Sequence, residues 1–493
     1  MRPKFALQIN VEREEVQLAA PTAATAAEQQ HNVMGSLRLN NDGITVMTNS
    51  YNPYSFSSEG MQKSDGQHYK ISEKDIRVVK RLGAGASSTV FKGFLFSENK
   101  FVAVKKINVF DRDTRHQMLN DVKALCDAQT VPGLISFCGA YHVPDTGQIS
   151  IVLEYMDGGS LADILAKVGR IPENILSKIT AKILRGLQYL HRNKHMVHRD
   201  IKPANILMNL EGEPKITDFG ISAFIDSTLA VCNTFLGTVT YMSPERINNE
   251  QYSFPADIWS LGLAIIECAT GRYPYDASVG PLQLMMEVLN EEVPLPQGPE
   301  HSDAFRDFVR QCMHKSPLKR GTIDQLLLHP FIKQYESDKS SDLKAFMQCV
   351  FDPHDKLDEI AVVFAWNYYA LLSAGPDRLR DLAPLYSDNS VYIHDGERAR
   401  GRASIIAALR KEAQTYAGFK VVHQVKEVDC QPLGVDGSAL VHVQGQLTVP
   451  AMSGPGSEPV TFTEAFILAQ IQPGEYYVAN QVHRVQLAAM RSH

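Results

Sequence analysis

The alternation of apolar and polar residues is weak over residues 1–70 and regular after them. Ala19–Gln30 is mostly Ala, Thr and Gln and offers almost nothing to bury, and Tyr51–Gln67 is rich in Ser, Asn and Gly. We therefore predict that residues 1–70 are largely disordered and that Tyr51–Gln67 is a linker. The exception is Ser36–Val46, where apolar residues flank an Asn-Asn-Asp-Gly turn and predict a small hairpin. Four apolar residues would face each other in it: Leu37, Leu39, Ile44 and Val46.

Strands come first and helices follow in the next stretch, which we assign to a domain over residues 71–332. The strands begin near Ile76, and the apolar run Gln148–Met156 predicts a buried strand. A helix is expected from about Arg112 to Ala128. A longer helix is predicted over Ile175–Asn193, where apolar residues recur at helical spacing.

A second domain is predicted over residues 355–488, after a linker over 333–354. It opens with a helix that carries one apolar stripe. Val441–Val449 alternates like a half-buried strand, and Phe462–Leu468 and Tyr477–Val478 mark two more strands. This stretch is long enough to bury a core of its own. The stripe consists of Leu357, Ile360, Ala361, Phe364, Ala365, Tyr368, Leu371 and Leu372.

The composition is that of an ordinary soluble globular protein. Of 493 residues, 44% are apolar and 21% are charged, and the net charge of −6 argues against a general nucleic-acid binder. No apolar run approaches the roughly 20 residues that span a bilayer, and the first residues fit neither a signal peptide nor a myristoylation site. The seven cysteines form no Cys-x-x-Cys pair, which is typical of free thiols. We expect a cytoplasmic protein and leave a nuclear location open.

The most specific chemistry lies in His198–Asn205, which reads HRDIKPAN and has the catalytic-loop pattern of a protein kinase. Asp200 could accept the proton of a substrate hydroxyl, and Lys202 could reach the phosphate being transferred. Asn205, and Asp218 of the following Asp-Phe-Gly run, could hold Mg²⁺ against the nucleotide phosphates. Phosphoryl transfer needs an aligned nucleophile and cations on the equatorial oxygens, and these four residues supply both.

A glycine-rich stretch upstream predicts the nucleotide site, although a Gly-x-Gly by itself is usually only a turn. Gly83 and Gly85 would let backbone N–H groups approach the phosphates, and Ser88 stands where the kinase pattern has a third glycine. Lys105 ends the apolar strand Val-Ala-Val-Lys and suits the α and β phosphates of ATP. The predicted ATP-binding residues are Leu82, Gly83, Ala84, Gly85, Ala86, Ser87, Ser88, Val90, Ala103, Lys105, Asp121, Glu154, Met156 and Leu207.

Several of these assignments rest on the resemblance to protein kinases. Kinases pair the Lys with a Glu, and the aligned residue here is Asp121, so either its helix sits closer or the ion pair is weaker. Gln148–Met156, followed by Asp-Gly-Gly-Ser, matches the hinge behind the adenine, where Glu154 and Met156 would offer backbone groups and Leu153 would lie behind the base. Three apolar residues would sandwich the base or be plain core: Val90, Ala103 and Leu207.

The activation segment, which contains STLAVCNT and GTVTYMSPER, resembles that of MAP kinase kinases. The resemblance implies a dual-specificity kinase that uses ATP and Mg²⁺ to phosphorylate Thr and Tyr of a MAP kinase. It also implies activation by an upstream kinase at Thr228 and Thr234. Arg199 would bind the activating phosphate or pair with a local carboxylate. Glu245 and Arg320 would form a buried ion pair, and the helix that begins near Asp257 would lie beneath the catalytic loop.

The N-terminal tail and the chemistry each leave an alternative open. Bases followed by an apolar-x-apolar pair resemble the docking peptides with which MAP kinase kinases hold MAP kinases, although nearby glutamates also fit a solvated tail. These residues are Arg2, Lys4, Leu7 and Ile9. A pseudokinase scaffold would have lost a Lys, Asp or Asn, and the residues concerned are all present here: Lys105, Asp200, Asn205 and Asp218. Lys202 favours Ser/Thr chemistry over a tyrosine-only kinase.

The second domain resembles nuclear transport factor two, a curved sheet with helices that form a cone. The resemblance rests on Trp366-Asn367-Tyr368-Tyr369, Leu385-Tyr386, Asp395-Gly396, Asp436-Gly437-Ser438 and Tyr476–Asn480. A kinase followed by this domain resembles the plant and algal group typified by MAP kinase kinase three. We predict a protein-binding or dimerising module. The alternative is a small-ligand enzyme that pairs a buried carboxylate with a Tyr, but the sequence reveals no such pair, and His394, Asp395 and Glu397 are expected to be solvated.

Overall fold

The structure of the protein is a computed structural model, and it falls into two compact units, one within residues 26–351 and the other within 352–493. The helices among the described residues are too short or too polar to cross a membrane. The structure describes residues 33–34, 37–40, 43–46, 54–63, 65–85, 88–98, 100–108, 118, 122, 125–126, 131–218, 240–250, 253–276, 278, 280–337, 342–351, 357–394, 396–415, 421–434, 438–448, 460–472 and 475–486.

A six-stranded antiparallel sheet, whose strands follow one another in sequence order, opens the first unit. Its second and third strands form the predicted hairpin, which is confirmed, since Leu37 pairs with Val46 and Leu39 with Ile44. The strands are β1 (Val33–Met34), β2 (Leu37–Asn40), β3 (Gly43–Val46), β4 (Tyr54–Ser57), β5 (Gly60–Lys63) and β6 (His68–Tyr69).

This sheet corrects the prediction that residues 1–70 are largely disordered and that Tyr51–Gln67 is a linker. Ser55 and Ser57 occupy partly exposed positions of β4, and Ser58 and Gly66 lie in the turns on either side of β5. Gly60 has a φ of +135°, and a Cβ there would lie 2.1 Å from the Tyr69 carbonyl oxygen, so the turn requires glycine. Residues 1–32 lie outside the described part. The apolar residues buried by the sheet are Ile44, Tyr54, Phe56, Met61 and Tyr69.

The next sheet is antiparallel with strand order β10-β11-β9-β8-β7 and carries several of the predicted nucleotide-binding residues. Ile149–Leu153 of β11 is buried throughout, and β11 lies between β10 and β9 rather than at an edge of the sheet. Parts of the predicted Arg112–Ala128 helix are described, and Met118, Val122, Leu125 and Cys126 are buried there. The strands are β7 (Ile76–Ala84), β8 (Ser88–Leu95), β9 (Lys100–Asn108), β10 (Phe137–Val143) and β11 (Gln148–Glu154).

Helices dominate the rest of this unit. The α1 helix begins at the N-cap Ser160, whose hydroxyl accepts the Asp163 N–H. The longest helix, α2, buries apolar residues at the predicted helical spacing. The helices are α1 (Leu161–Val168), α2 (Glu173–Asn193), α3 (Pro244–Ile247), α4 (Pro255–Thr270), α5 (Pro281–Asn290), α6 (Asp303–Cys312), α7 (Ile323–Leu327) and α8 (Pro330–Lys333), and a short hairpin pairs β12 (Ile206–Met208) with β13 (Pro214–Ile216).

A further helix, α9 (Leu343–Val350), corrects the prediction that residues 333–354 are a linker. The Asp342 carboxylate accepts the N–H groups of Lys344 and Ala345 and caps it. Leu343 and Met347 are buried in the core of the first unit. The helix lies against the segment after β11, because a Cβ on Gly158 would meet Met347 Cε at 2.4 Å.

The second unit contains the six-stranded sheet β15-β14-β19-β18-β17-β16, in which β14 and β19 run parallel and the other neighbours antiparallel. Helix α10 (Leu357–Ser373) packs on β16 and β17 through most of the predicted stripe, and Val441, Val443 and Leu447 are buried on one face as expected. The α+β fold with a curved second sheet is therefore confirmed. The other elements are β14 (Tyr386–His394), β15 (Glu397–Arg400), α11 (Arg402–Thr415), β16 (Val422–Leu433), β17 (Ser438–Thr448), β18 (Val460–Gln472) and β19 (Glu475–Gln486).

Candidate active site

The backbone before Asp200 is held by one buried carboxylate. Asp257, near the start of α4, accepts the N–H of His198 on one oxygen and the N–H of Arg199 on the other, each at 2.8 Å. His191 of α2 lies 2.8 Å from Asp257 through Nε2. Burial would raise the pKa of the Asp257 carboxyl, but His191 and the backbone N–H groups hold it below its usual value. Asp257 therefore stays ionised and fixes the loop.

Asp200 and the two polar residues predicted to act with it lie within hydrogen-bonding distance. Lys202 Nζ lies 3.0 Å from Asp200 Oδ1 and 2.8 Å from Oδ2. Asn205 Nδ2 donates to Asp200 Oδ2 at 2.7 Å and to its carbonyl oxygen at 2.9 Å. The carboxylate is thus fixed in direction while its partly exposed side chain stays accessible to a substrate.

His198 connects this carboxylate to the stretch that contains the predicted metal ligand Asp218. Its Nε2 lies 3.1 Å from the Thr217 carbonyl oxygen, and its Nδ1 lies 3.3 Å from the Asp200 N–H. Burial lowers the pKa of His198, so the ring is neutral. Because Nδ1 accepts the Asp200 N–H, Nε2 carries the hydrogen and donates it to Thr217. One neutral ring therefore couples Asp200 to the residue before Asp218.

Lys105 and Asp218 form the charged centre of the predicted nucleotide site. Lys105 Nζ lies 2.8 Å from Asp218 Oδ1, and the Lys105 side chain is almost fully buried. Burial would raise the pKa of the Asp218 carboxyl, but the charge and hydrogen bond of Lys105 hold it below its usual value. Asp218 has a φ of +62°, a left-handed conformation that is uncommon for residues with a side chain.

The sheet and the segment after β11 frame the rest of this site. Val90 of β8 pairs with Lys105 of β9, and Leu153 lines a small cavity together with Lys105 and Asp218. Nothing among the described residues lies within 4 Å of a Cβ built on Gly83, so the backbone there is open to a ligand. Leu82 is exposed, whereas Val90, Ala103 and Leu207 are partly buried, and Met156 is buried.

Comparison with known proteins decides the family. The protein kinase domain matches residues 76–332, and the nuclear transport factor 2 (NTF2) domain matches residues 360–485. Mitogen-activated protein kinase kinase 3 of Arabidopsis thaliana is 45% identical over 424 residues, which cover 83% of this chain and 81% of that protein. The chain belongs to the MAP kinase kinase family.

Two further MAP kinase kinases are similar over about two thirds of this chain. Mitogen-activated protein kinase kinase 1 of Arabidopsis thaliana is 38% identical, covering 63% of this chain and 87% of that protein. Mitogen-activated protein kinase kinase SIPKK of Nicotiana tabacum is 37% identical, covering 66% and 90%. This MAP kinase kinase is therefore a protein kinase of a MAP kinase cascade, and the family implies ATP and a divalent metal ion.

The residues present fit that nucleotide and metal. A buried ammonium, an amide and an ionised carboxylate with lowered pKa are the donors that nucleotide phosphates and a hard divalent cation require. Ala84, Gly85 and Ser88 are described, and the Gly85 N–H donates to the Ser88 carbonyl oxygen at 2.8 Å. The roles assigned to these residues of the MAP kinase kinase stay predictions.

Several predicted site residues of the MAP kinase kinase lie outside the described part. Asp121, the proposed partner of Lys105, is one of them, so the described contact of Lys105 with an acid is that with Asp218. The others are Ala86, Ser87, Thr228, Thr234, Arg2, Lys4, Leu7 and Ile9.

Two side chains near the predicted hinge of the MAP kinase kinase, Glu154 and Lys92, make contacts that escaped the sequence analysis. The Glu154 side chain accepts the Ser136 N–H at 2.6 Å and also binds Lys215, in addition to the backbone role predicted for it. Lys92 is fully buried, with Nζ 4.1 Å from the ring centroids of both Phe101 and Tyr155. These side chains lie on different strands and loops, so their spacing in the sequence carries no signal.

The C-terminal domain of the MAP kinase kinase does contain a buried carboxylate paired with a Tyr, which the sequence analysis missed. Glu464 is 2% exposed, and the Tyr369 hydroxyl donates to it. Glu464 lines a cavity of about 700 Å³. His394 is likewise only partly exposed and lies near Glu412, which corrects its expected solvation, whereas Glu397 is exposed as expected and Asp395 lies outside the described residues.

Proposed function

We propose that this protein is a dual-specificity kinase that transfers the γ-phosphoryl group of ATP to Thr and Tyr in the activation loop of a MAP kinase. The observation that carries the proposal is the Asp200 carboxylate, held by Lys202 and Asn205 beside the Lys105–Asp218 ion pair. Its similarity to MAP kinase kinases along most of the chain supports the substrate class. A pseudokinase is disfavoured because this set of polar residues is complete.

In the proposed reaction Asp200 orients the substrate hydroxyl and accepts its proton. Two hydrogen bonds from Lys202 and one from the Asn205 amide restrict its rotation, so the nucleophile is aligned before transfer. Lys202 also lies close enough to meet charge that develops on the transferred phosphoryl group.

Mg²⁺ is the proposed metal, and bound ATP supplies the phosphoryl group. Asn205 and Asp218 would hold the metal ion, and Lys105 would hold the α and β phosphates. The Lys105–Asp218 contact fixes both groups in advance, so little rearrangement is needed on nucleotide binding.

Activation is proposed to occur by phosphorylation of Thr228 and Thr234 by an upstream MAP kinase kinase kinase. The phosphate would meet the Arg199 guanidinium next to Asp200. The Arg199 carbonyl accepts a hydrogen bond from Arg246 Nη1 at 2.7 Å, which fixes the backbone of this cation and connects it to α3. A local carboxylate as the partner of Arg199 is the competing interpretation.

The accessory parts are proposed to select partners. Arg2, Lys4, Leu7 and Ile9 would bind a MAP kinase, and the C-terminal domain would bind a peptide or a second copy of the chain. A cytoplasmic location, with access to the nucleus, would match such substrates. No nucleic acid or membrane is expected among the partners.

The test is a phosphorylation assay of the full chain against a panel of purified, catalytically inactive MAP kinases. We expect both phospho-Thr and phospho-Tyr on at least one of them, identified by mass spectrometry, and neither with Asp200→Asn. Phosphorylation of Tyr alone would favour the tyrosine-kinase alternative. ATP binding without turnover on the whole panel or on a generic substrate would favour the pseudokinase.

A further inference from the structure

Three polar side chains form a row across three strands of the C-terminal sheet. His394 of β14 pairs with His483 of β19, which in turn pairs with Glu464 of β18. Directly paired residues on neighbouring strands place their side chains on the same face. The two imidazole rings accordingly stack, with centroids 5.2 Å apart and an interplanar angle of 21°.

Helix α11 adds a carboxylate to this row. Glu412 Oε1 lies 3.6 Å from His483 Nε2 and 3.8 Å from His394 Nδ1. The three atoms lie within 4.8 Å of one another. A tetrahedral ion with ligands at about 2.0–2.2 Å would place them roughly 3.3 Å apart, so small side-chain rotations bring them into coordination distance.

Two members of this cluster, His483 and Glu412, are each held by a further polar group. Glu464 Oε2 lies 3.2 Å from His483 Nδ1, and Gln481 Nε2 donates to Glu464 Oε1 at 2.5 Å. With the hydrogen on Nδ1 facing Glu464, His483 directs its Nε2 lone pair to the cluster. The Tyr392 hydroxyl donates to Glu412 Oε2 at 2.8 Å, which leaves Oε1 for the cluster. Carboxylate–histidine–metal arrangements in proteins are built in this way.

We propose that His394 Nδ1, Glu412 Oε1 and His483 Nε2 bind one divalent transition-metal ion of the Zn²⁺ class. Two imidazoles and one carboxylate favour such an ion over Mg²⁺ or Ca²⁺, which prefer oxygen ligands alone. This site is separate from the Mg²⁺ site proposed in the kinase domain, because all of its residues belong to the C-terminal unit.

The site has the openness of a ligand-binding metal centre rather than a closed structural one. Glu412 and His483 line the cavity of about 700 Å³, and Glu412 and His394 line a neighbouring groove of about 360 Å³. Three protein ligands leave a fourth position of a tetrahedral ion for water or a ligand. The cavity wall is otherwise largely apolar, with Leu372, Leu409 and Leu447, so it suits a small molecule with an apolar body and one oxygen donor.

The competing interpretation is a polar network that carries no metal. The distances from Glu412 to the two imidazoles, 3.6 and 3.8 Å, are longer than hydrogen bonds, so direct hydrogen bonds to Glu412 do not account for this arrangement. The cationic side chains beside the groove are Lys411 and Arg398, and Lys411 Nζ lies 3.5 Å from Glu397, which offsets its charge. A bound dication is thus compatible with the surrounding charges.

The first measurement is zinc binding to the full chain without nucleotide. The protein is freed of metal with a chelator and dialysed against micromolar Zn²⁺, and bound zinc is counted by atomic absorption. We expect Glu412→Gln and His394→Asn to bind one zinc ion fewer than wild type. His442 of β17 lies on the face of the sheet opposite to the cluster, so His442→Asn should bind as much zinc as wild type. Equal zinc in wild type and in Glu412→Gln would overturn the proposal, as would a wild type that binds none.

Co²⁺ in place of Zn²⁺ identifies the ligand atoms. We expect a visible absorption band without the near-ultraviolet band of thiolate ligation, and both variants should lose that visible band. Tyr392→Phe keeps all three ligands and removes one supporting hydrogen bond, so its Co²⁺ affinity should fall by about 10–100-fold while the band keeps its shape. A thiolate spectrum that persists in both variants, or a Tyr392→Phe affinity equal to wild type, would contradict the proposed site.

Discussion

Arg320 donates one hydrogen bond of 2.6 Å to each carboxylate oxygen of Glu245, and both side chains are almost completely buried. The pair joins the start of α3, at the end of the activation segment, to the loop before α7. Arg320 also binds the backbone carbonyls of His314 and Pro255. The predicted buried pair is thus the centre of a wider network.

Glu245→Gln should destabilise the kinase domain by about 3–5 kcal/mol, because it leaves the Arg320 charge buried and uncompensated. Urea unfolding followed by circular dichroism measures the change. Asp303→Asn is the matched control, because the Asp303 side chain is fully exposed where it pairs with Arg306. We expect this ion pair to contribute less than about 1 kcal/mol to the free energy of unfolding. Equal effects of the two substitutions would contradict the structural role of the buried pair.

The contribution of Glu245 should disappear in acid. Burial raises the pKa of this carboxyl, but Arg320 outweighs burial and holds the pKa below its ordinary value of 4.5. A carboxyl whose pKa is lower in the folded chain stabilises it above the unfolded pKa, and this stabilisation is lost as the pH falls through the folded pKa. The difference in unfolding free energy between wild type and Glu245→Gln should therefore shrink below about pH 4.5. A constant difference from pH 7 to pH 3 would argue against the ion pair as its source.

Asp200→Asn should reduce turnover on a generic substrate by about 10²-fold or more while nucleotide affinity stays near that of wild type. The reason is that Asp200 contacts Lys202 and Asn205, whereas Lys105 and Asp218 are proposed to hold the nucleotide. Steady-state kinetics and nucleotide titration separate the two properties. Asp145→Asn, in an exposed turn, serves as the control. Near-normal turnover of the Asp200 variant would refute the assignment.

Negative side chains at Thr228 and Thr234 should raise basal activity, and Ala at both positions should block activation by an upstream kinase. Carboxylates carry less charge than phosphate, so Asp or Glu should activate only in part. Phosphorylation rates of a MAP kinase substrate, measured before and after treatment of each variant with the upstream kinase, test both expectations. Thr146→Ala, in an exposed turn, is the control. Normal activation of the double Ala variant would move the phosphosites elsewhere, with Ser227 the first candidate.

A chain that ends at residue 351 should keep generic kinase activity, and a chain that ends at residue 345 should be less stable. The shorter chain lacks Met347, which is fully buried, and losing such a side chain costs about 2–5 kcal/mol. Thermal unfolding of both chains measures this, and Met347→Ala in the longer chain should reproduce most of the loss. Equal unfolding temperatures would show that α9 does not contribute to the kinase domain.

What the sequence could predict depends on how local each signal is. The catalytic loop, the hairpin around Leu39 and Ile44, and the stripe of α10 follow from short patterns, and their elements lie as expected. The strands around Phe56 were missed because their polar turns resemble a disordered segment. Helix α9 did carry a signal, since Leu343, Phe346, Met347 and Val350 have helical spacing after the capping Asp342.

The polar row of the C-terminal domain could not be predicted in this way. His394 and His483 are far apart in the sequence and become neighbours only because β14 pairs with β19 in parallel. Alternation assigns each residue to a face of its own strand, but strand order decides which residues meet. The missed Glu464 contact has the same cause.

The backbone of Arg199 has a φ of +75°, a left-handed conformation that costs on the order of 1–3 kcal/mol for a residue with a side chain. Asp257 holds this conformation through the N–H groups of His198 and Arg199. The cost is therefore met once, when the polypeptide folds, and it lowers the stability of the empty enzyme. Each later catalytic cycle begins with the Asp200 side chain already oriented. The loss of rotational entropy of this side chain has therefore occurred before any substrate binds.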